Sequence, residues 1–169
     1  MGSELDSHEF EIPFDHPREE CGVVGVYIPG GEASRLAFFG LFALQHRGQE
    51  SAGIASTSED GGKVHADMGL VTQIFREPDF YPLSGNMAIG HTRYSTTGTS
   101  LQCNAQPLLV QGQHGQLALA NNGNIINSLQ MKEQLRQEWN CSFTSTTDSE
   151  VFAHLLANTT GATWEDRLF

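Results

Sequence analysis

The stretch Glu20-Cys21-Gly22-Val23-Val24-Gly25-Val26-Tyr27 constrains this chain more than any other. A β-branched apolar run that opens on Cys-Gly reads as a buried strand, Val23–Ile28, with a thiol at its mouth. Glycine beside the thiol lets the backbone come close to a ligand. Two readings stay open on these residues alone. One is a small cysteine opening a buried core strand; the other is a nucleophile displayed at a strand end.

The flanks differ in kind. Residues 1–20 carry seven acids against Arg18 alone and so supply −6 of the net charge of −11. Pro13 and Pro17 interrupt any helix there, so this leader is expected to be an extended tail. The chain as a whole is globular in composition: with 38% hydrophobic and 17% charged residues, 169 positions suit one domain with its own core. The acidic balance argues against nucleic-acid backbone binding. No apolar run reaches the length of a membrane span, and the N-terminus has neither a secretory nor an organellar layout. Three cysteines (Cys21, Cys103, Cys141) without C-x-x-C spacing disfavour a disulfide framework or a cysteine metal site. A reducing, cytoplasmic setting is the expectation, with Cys103 and Cys141 structural. The histidines show no metal-ligand spacing.

Periodicity predicts the elements in turn. Glu32–Gln45 reads as a helix with Leu36, Phe39 and Ala43 on its inner stripe, widened by Leu41 and Leu44. Ser51–Ser56 and Lys63–Asp67 read as strands joined by the acidic turn Glu59-Asp60-Gly61-Gly62. A short helix over Gly69–Phe75 and a loop over Glu77–Gly85 precede a strand, Asn86–His91, that runs into the polar loop Thr92–Ser100. Pro107–Gln111 and Gln116–Ala120 form a hairpin. A helix capped by Asn124 or Asn127 reaches about Trp139, with Ile125, Leu129, Leu135 and Trp139 inward. Another spans about Ser149–Ala157, capped by Thr147 or Asp148, and Thr163-Trp164-Glu165-Asp166 begins a last one. Strands in runs separated by helices give an α+β class.

Polar clusters sit at the ends of nearly every predicted strand: Gln45–Gly53, Gly90–Gly98, Asn121–Asn124 and Thr146–Glu150. Singly, each has an ordinary explanation as a turn, a cap or a solvated loop. With Cys21 they supply the parts of an acyl-transfer site for an amino-acid substrate. Cys21 is the nucleophile, and the Asn122 side chain with the Gly123 N–H holds a developing oxyanion. Arg93 can grip a carboxylate with two prongs, and Asp148 can accept from an ammonium.

These residues resemble a known family, the class II (N-terminal nucleophile) glutamine amidotransferases. The motifs that carry the resemblance are Leu41-Phe-Ala-Leu-Gln-His-Arg-Gly-Gln-Glu-Ser-Ala-Gly-Ile54 and Gly90-His-Thr-Arg-Tyr-Ser-Thr-Thr-Gly98. They favour the amidophosphoribosyltransferase branch over the glucosamine-6-phosphate synthase branch. The resemblance runs from about Glu20 onward. It implies an αββα sandwich of two antiparallel sheets between helices, incomplete at its C-terminal end, with residues 1–20 a propeptide and 21–169 the amidotransferase domain. It further implies that Cys21 attacks the γ-amide of glutamine to give a glutamyl thioester and ammonia for purine synthesis. Its own α-amine, freed by cleavage after Glu20, shuttles the proton. Asn122 and Gly123 would serve the oxyanion, Arg93 and Thr96 the substrate carboxylate, and Asp148 its ammonium. Arg47 and Gly48 would organise the backbone about the cysteine, and Tyr94 would belong to the closing loop. No cofactor is implied for this segment. The implied partners are L-glutamine and a phosphoribosyltransferase domain that receives the ammonia, and relatives assemble as homo-oligomers.

Two departures stand out. The family usually carries His-Asn-Gly-Asn where this chain has Asn121-Asn122-Gly123-Asn124. No hydrophobic strand followed by paired aspartates marks a phosphoribosyl-pyrophosphate loop, so the synthase reaction is not expected of these residues. The rival reading is a catalytically silent or unprocessed regulatory module of the same fold.

Overall fold

Small residues decide how the layers of this molecule stack. A computed structural model describes residues 21–58, 61–94 and 100–168. The acidic leader, residues 59–60 of the predicted turn and Thr96 therefore lie outside the described residues. The elements run β1 (Gly22–Tyr27), α1 (Ala33–Ala43), β2 (Ser51–Ser58), β3 (Gly61–Met68), α2 (Val71–Ile74) and β4 (Met87–Arg93). They continue with β5 (Leu108–Gly112), β6 (Gly115–Leu119), α3 (Ser128–Trp139), α4 (Asp148–Asn158) and α5 (Trp164–Leu168). One antiparallel sheet has the order β1-β4-β2-β3, and the hairpin β5-β6 forms a second.

Helix α1 covers one face of the four-stranded sheet. Its Ala33, Ala37 and Leu41 pack with Ala52, Ile54 and Ala88, closed at the end by Val71, Phe75 and Leu83. A fully buried leucine such as Leu41 contributes about 1.5–3 kcal/mol. Helix α4 covers the hairpin, setting Ala153 and Ala157 against Val110, Leu117 and Leu119. The sheets meet where the Gly62 N–H donates to the Gln116 side chain at 2.8 Å. Two antiparallel sheets between helical layers are the expected α+β sandwich. No helix among the described residues is long and apolar enough to cross a membrane.

Three expectations about burial are corrected. The inner stripe of α1 is Ala33, Ala37 and Leu41, whereas Leu36 and Ala43 face out and Phe39 is 64% exposed. Close approach selected this face: a Cβ on Gly40 would lie 2.8 Å from Val24 Cγ2, so large side chains there would push the helix off the sheet. The first strand is not buried on both sides. It is an edge strand, and its Val23, Gly25 and Tyr27 point away from α1 and remain exposed. In α3 only Leu135 is buried and Leu129 is 84% exposed, because the helix leans on α4 along one turn. Asn127 precedes α3 without a side-chain cap bond. Thr147 occupies the N-cap position of α4, and Asp148 is its first helical residue.

Candidate active site

Cys21 is placed by the register of the edge strand. Gly22 stands opposite Thr92, and its N–H donates to Thr92 Oγ1 at 3.2 Å. A Cβ at Gly22 would fall 2.7 Å from that oxygen and 3.0 Å from Leu44 Cβ, so glycine alone lets β1 lie this close. The half-buried thiol consequently meets the end of β4. Its Sγ lies 3.6 Å from the Tyr94 carbonyl oxygen and accepts from the Tyr94 N–H at 3.5 Å. The Cys21 carbonyl accepts from Arg47 Nε at 3.5 Å and from Asn122 Nδ2 at 3.3 Å.

Gly48 follows the short turn Gln45–Arg47 and presses against β4: a Cβ there would lie 2.7 Å from the carbonyl carbons of Thr92 and Arg93. This contact, with Arg47 on the cysteine carbonyl, couples the Arg-Gly pair to the thiol. Arg93 ends β4 with Nη1 donating to Glu50 Oε1 at 3.1 Å, both side chains only 14% exposed. The Glu50 N–H also donates to the Arg93 carbonyl at 3.1 Å. Five guanidinium donors exceed what one carboxylate uses, so the fork is held with donors to spare.

Across the opening, Asp148 begins α4. Its Oδ2 accepts from the Ile125 N–H at 2.5 Å, and its Oδ1 has no hydrogen-bond partner among the described residues. Cys21, Arg93, Tyr94, Asn122, Gly123 and Asp148 line one cavity of about 440 Å³. Gln106, Asn121, Asn124, Thr147 and Ser149 complete its wall. One cation and one carboxylate lining the same cavity suit a zwitterionic amino acid. Among the described lining residues there is no imidazole or amine that could take a proton from the thiol.

Glu50, Gln106 and His91 carry parts of the site that sequence reasoning did not single out. Gln106 sits close to a strand end, as several of the recognised polar clusters do, and that signal could have found it. His91 lies fully buried on β4, two residues before Arg93, and burial pushes its pKa down to about 4, with the Arg93 charge adding to the shift. The Asn121 backbone opposes that shift, although no hydrogen bond of normal geometry reaches either ring nitrogen.

The layered fold is that of an amidotransferase, and a model of the glutamine amidotransferase domain matches residues 69–168. The chain belongs to that family. Its curated relatives narrow the likeness further. It is 50% identical over 152 residues to the amidophosphoribosyltransferase of Synechococcus elongatus, covering 89% of this chain and 31% of that protein. It is 51% identical over 138 residues to that of Archaeoglobus fulgidus, covering 81% and 30%. Among solved structures, it matches glutamine phosphoribosylpyrophosphate amidotransferase from B. subtilis complexed with ADP and GMP. That match has a TM-score of 0.72 and 39% identity over 86% of this chain and 31% of the other. A structure described as the allosteric regulatory enzyme of purine biosynthesis matches with a TM-score of 0.75 and 40% identity. The chain spans about a third of the length of these relatives.

Proposed function

We propose that this chain is the glutamine-hydrolysing, ammonia-generating part of an amidophosphoribosyltransferase, acting at the first committed step of purine synthesis. The observation that carries this reading is the shared cavity of Cys21, Arg93, Asn122, Gly123 and Asp148. Arg93 and Thr96 hold the α-carboxylate of glutamine, and Asp148 Oδ1 accepts from its α-ammonium. Cys21 Sγ attacks the γ-carbonyl carbon, and Asn122 with the Gly123 N–H stabilises the oxyanion. The C–N bond breaks as the leaving amine gains a proton and departs as ammonia. Water then hydrolyses the thioester to glutamate, while Tyr94 belongs to the loop that closes over the substrate. The ammonia goes to a phosphoribosyltransferase domain, in a cytoplasmic enzyme.

That no imidazole or amine stands among the described lining residues supports a role for the α-amine of Cys21. Such an amine has a pKa of about 7.7–8.0 and is partly free base at neutral pH, whereas an amide nitrogen has no useful basicity. Residues 1–20 are thus read as a propeptide whose removal switches the site on. A second reading, an unprocessed and silent module, is favoured by one contact: Asn122 Nδ2 already donates to the Cys21 carbonyl. Ammonia release from glutamine, compared between the full chain and the chain beginning at Cys21, separates the two. Activity only in the processed form supports the first reading. Equal activity in both overturns the propeptide, and none in either leaves the silent module.

A further inference from the structure

We propose that Gln106 is a positioning residue of the glutaminase reaction, fixing the Asn121–Ile125 loop so that Asn122 and Gly123 meet the oxyanion. The inference rests on the function proposed above. Gln106 is only 6% exposed yet lines the catalytic cavity. Its Oε1 accepts from the Asn121 N–H at 2.8 Å, and its Nε2 donates to Ser149 Oγ at 3.2 Å. The backbone N–H of Asn121 can only donate, which settles which end of the amide faces it. The Gln106 carbonyl is wedged over Gly53, where a Cβ would lie 2.4 Å from that oxygen. The bracket is therefore held from beneath by β2.

The other end of the loop is held in the same manner, by Asp148 Oδ2 on the Ile125 N–H at 2.5 Å. Two side chains thus anchor residues 121 and 125, and the three residues between them are exposed. Both anchors return to the start of α4, one through Ser149 and the other at Asp148 itself. The oxyanion donors and the ammonium-binding carboxylate consequently share one frame. An error on the order of 1 Å in such a frame costs about 10²-fold in rate.

The test is steady-state glutaminase kinetics in the full chain processed to begin at Cys21, read with amide hydrogen exchange at Asn121 and Ile125. Gln106→Leu keeps the volume and removes both hydrogen bonds. It should lower kcat roughly 10²-fold while KM and inhibition by glutamate move little. Exchange should quicken at Asn121 and not at Ile125. Ser149→Ala removes one arm and should cost only about fivefold in kcat. Gln106→Glu retains an acceptor for Asn121, lets Ser149 donate, and should recover most of the loss. Should Gln106→Leu not fold, the ordering of wild type, Gln106→Glu and Ser149→Ala carries the test. A rise in KM matching the fall in kcat overturns the inference, as does Asn121 exchange that ignores Gln106. A wild-type chain without glutaminase activity, whose Asn121 exchange still depends on Gln106, overturns the reaction and leaves the anchoring intact.

Discussion

Under the proposed function, Arg93 serves folding and recognition with one guanidinium. Its pairing with Glu50 at 3.1 Å in a mostly buried setting orients the fork, and the residue lines the cavity. Arg93→Lys keeps the charge and loses the fork, so KM for glutamine should rise at least about tenfold with a smaller change in kcat. An unchanged KM in steady-state assays would contradict the carboxylate role. Glu50→Ala leaves the cation without its partner and should cost on the order of 3 kcal/mol in urea unfolding. At this scale the sequence was informative about residue types and silent about pairings. The Gln-His-Arg-Gly-Gln-Glu run placed Glu50 in a candidate cluster. Its contact with Arg93 spans 43 positions and follows only from the β2–β4 register. Gln106 escaped notice for a related reason, since its partners lie 15 and 43 positions away.

Among the elements, strands and helices were legible from apolar periodicity and glycine breaks, and their inward faces were less so. In α1 the periodic stripe of large residues is real, but the sheet accepts the alanine stripe beside it. That choice depends on how near two backbones can come, which one helix read alone does not show. Ala37 is fully buried, so Ala37→Leu should destabilise the chain by about 1–3 kcal/mol through overpacking. Phe42→Ser on the outer face should stay within about 0.5 kcal/mol. Chemical denaturation of the two variants decides which face is inward, and the reverse order would sink the assignment. The strand carrying Cys21 illustrates the same limit. Its apolar run suggested a buried strand, whereas an edge position lets the thiol reach the cavity.

For the molecule as a whole, acid should be the weak flank. Burial holds His91 near pKa 4 in the native state, against about 6.5 in an unfolded chain. Between those values the unfolded state binds the proton that the native state refuses, so stability falls as pH falls through that window. The loss approaches about 3 kcal/mol at its lower end. His154 is lowered in the same direction, chiefly by burial. Burial alone would raise Glu150, but hydrogen bonds from Thr144 and Ser145 outweigh it and hold that carboxyl below its usual range. Protonating Glu150 at still lower pH removes a further contribution. Urea midpoints measured from pH 7 to 4 should fall in wild type and flatten in His91→Leu. A flat wild-type profile would show that neither histidine is held neutral by the fold.

The central claim is that Cys21 is a glutamine-directed nucleophile once it becomes the N-terminus. Intact mass before and after incubation with a glutamine-like diazoketone tests it most directly. The account predicts one adduct on the chain beginning at Cys21, none on the chain that retains residues 1–20, and none on Cys21→Ala. An adduct that persists in Cys21→Ala, or a processed chain that stays unlabelled, would contradict it.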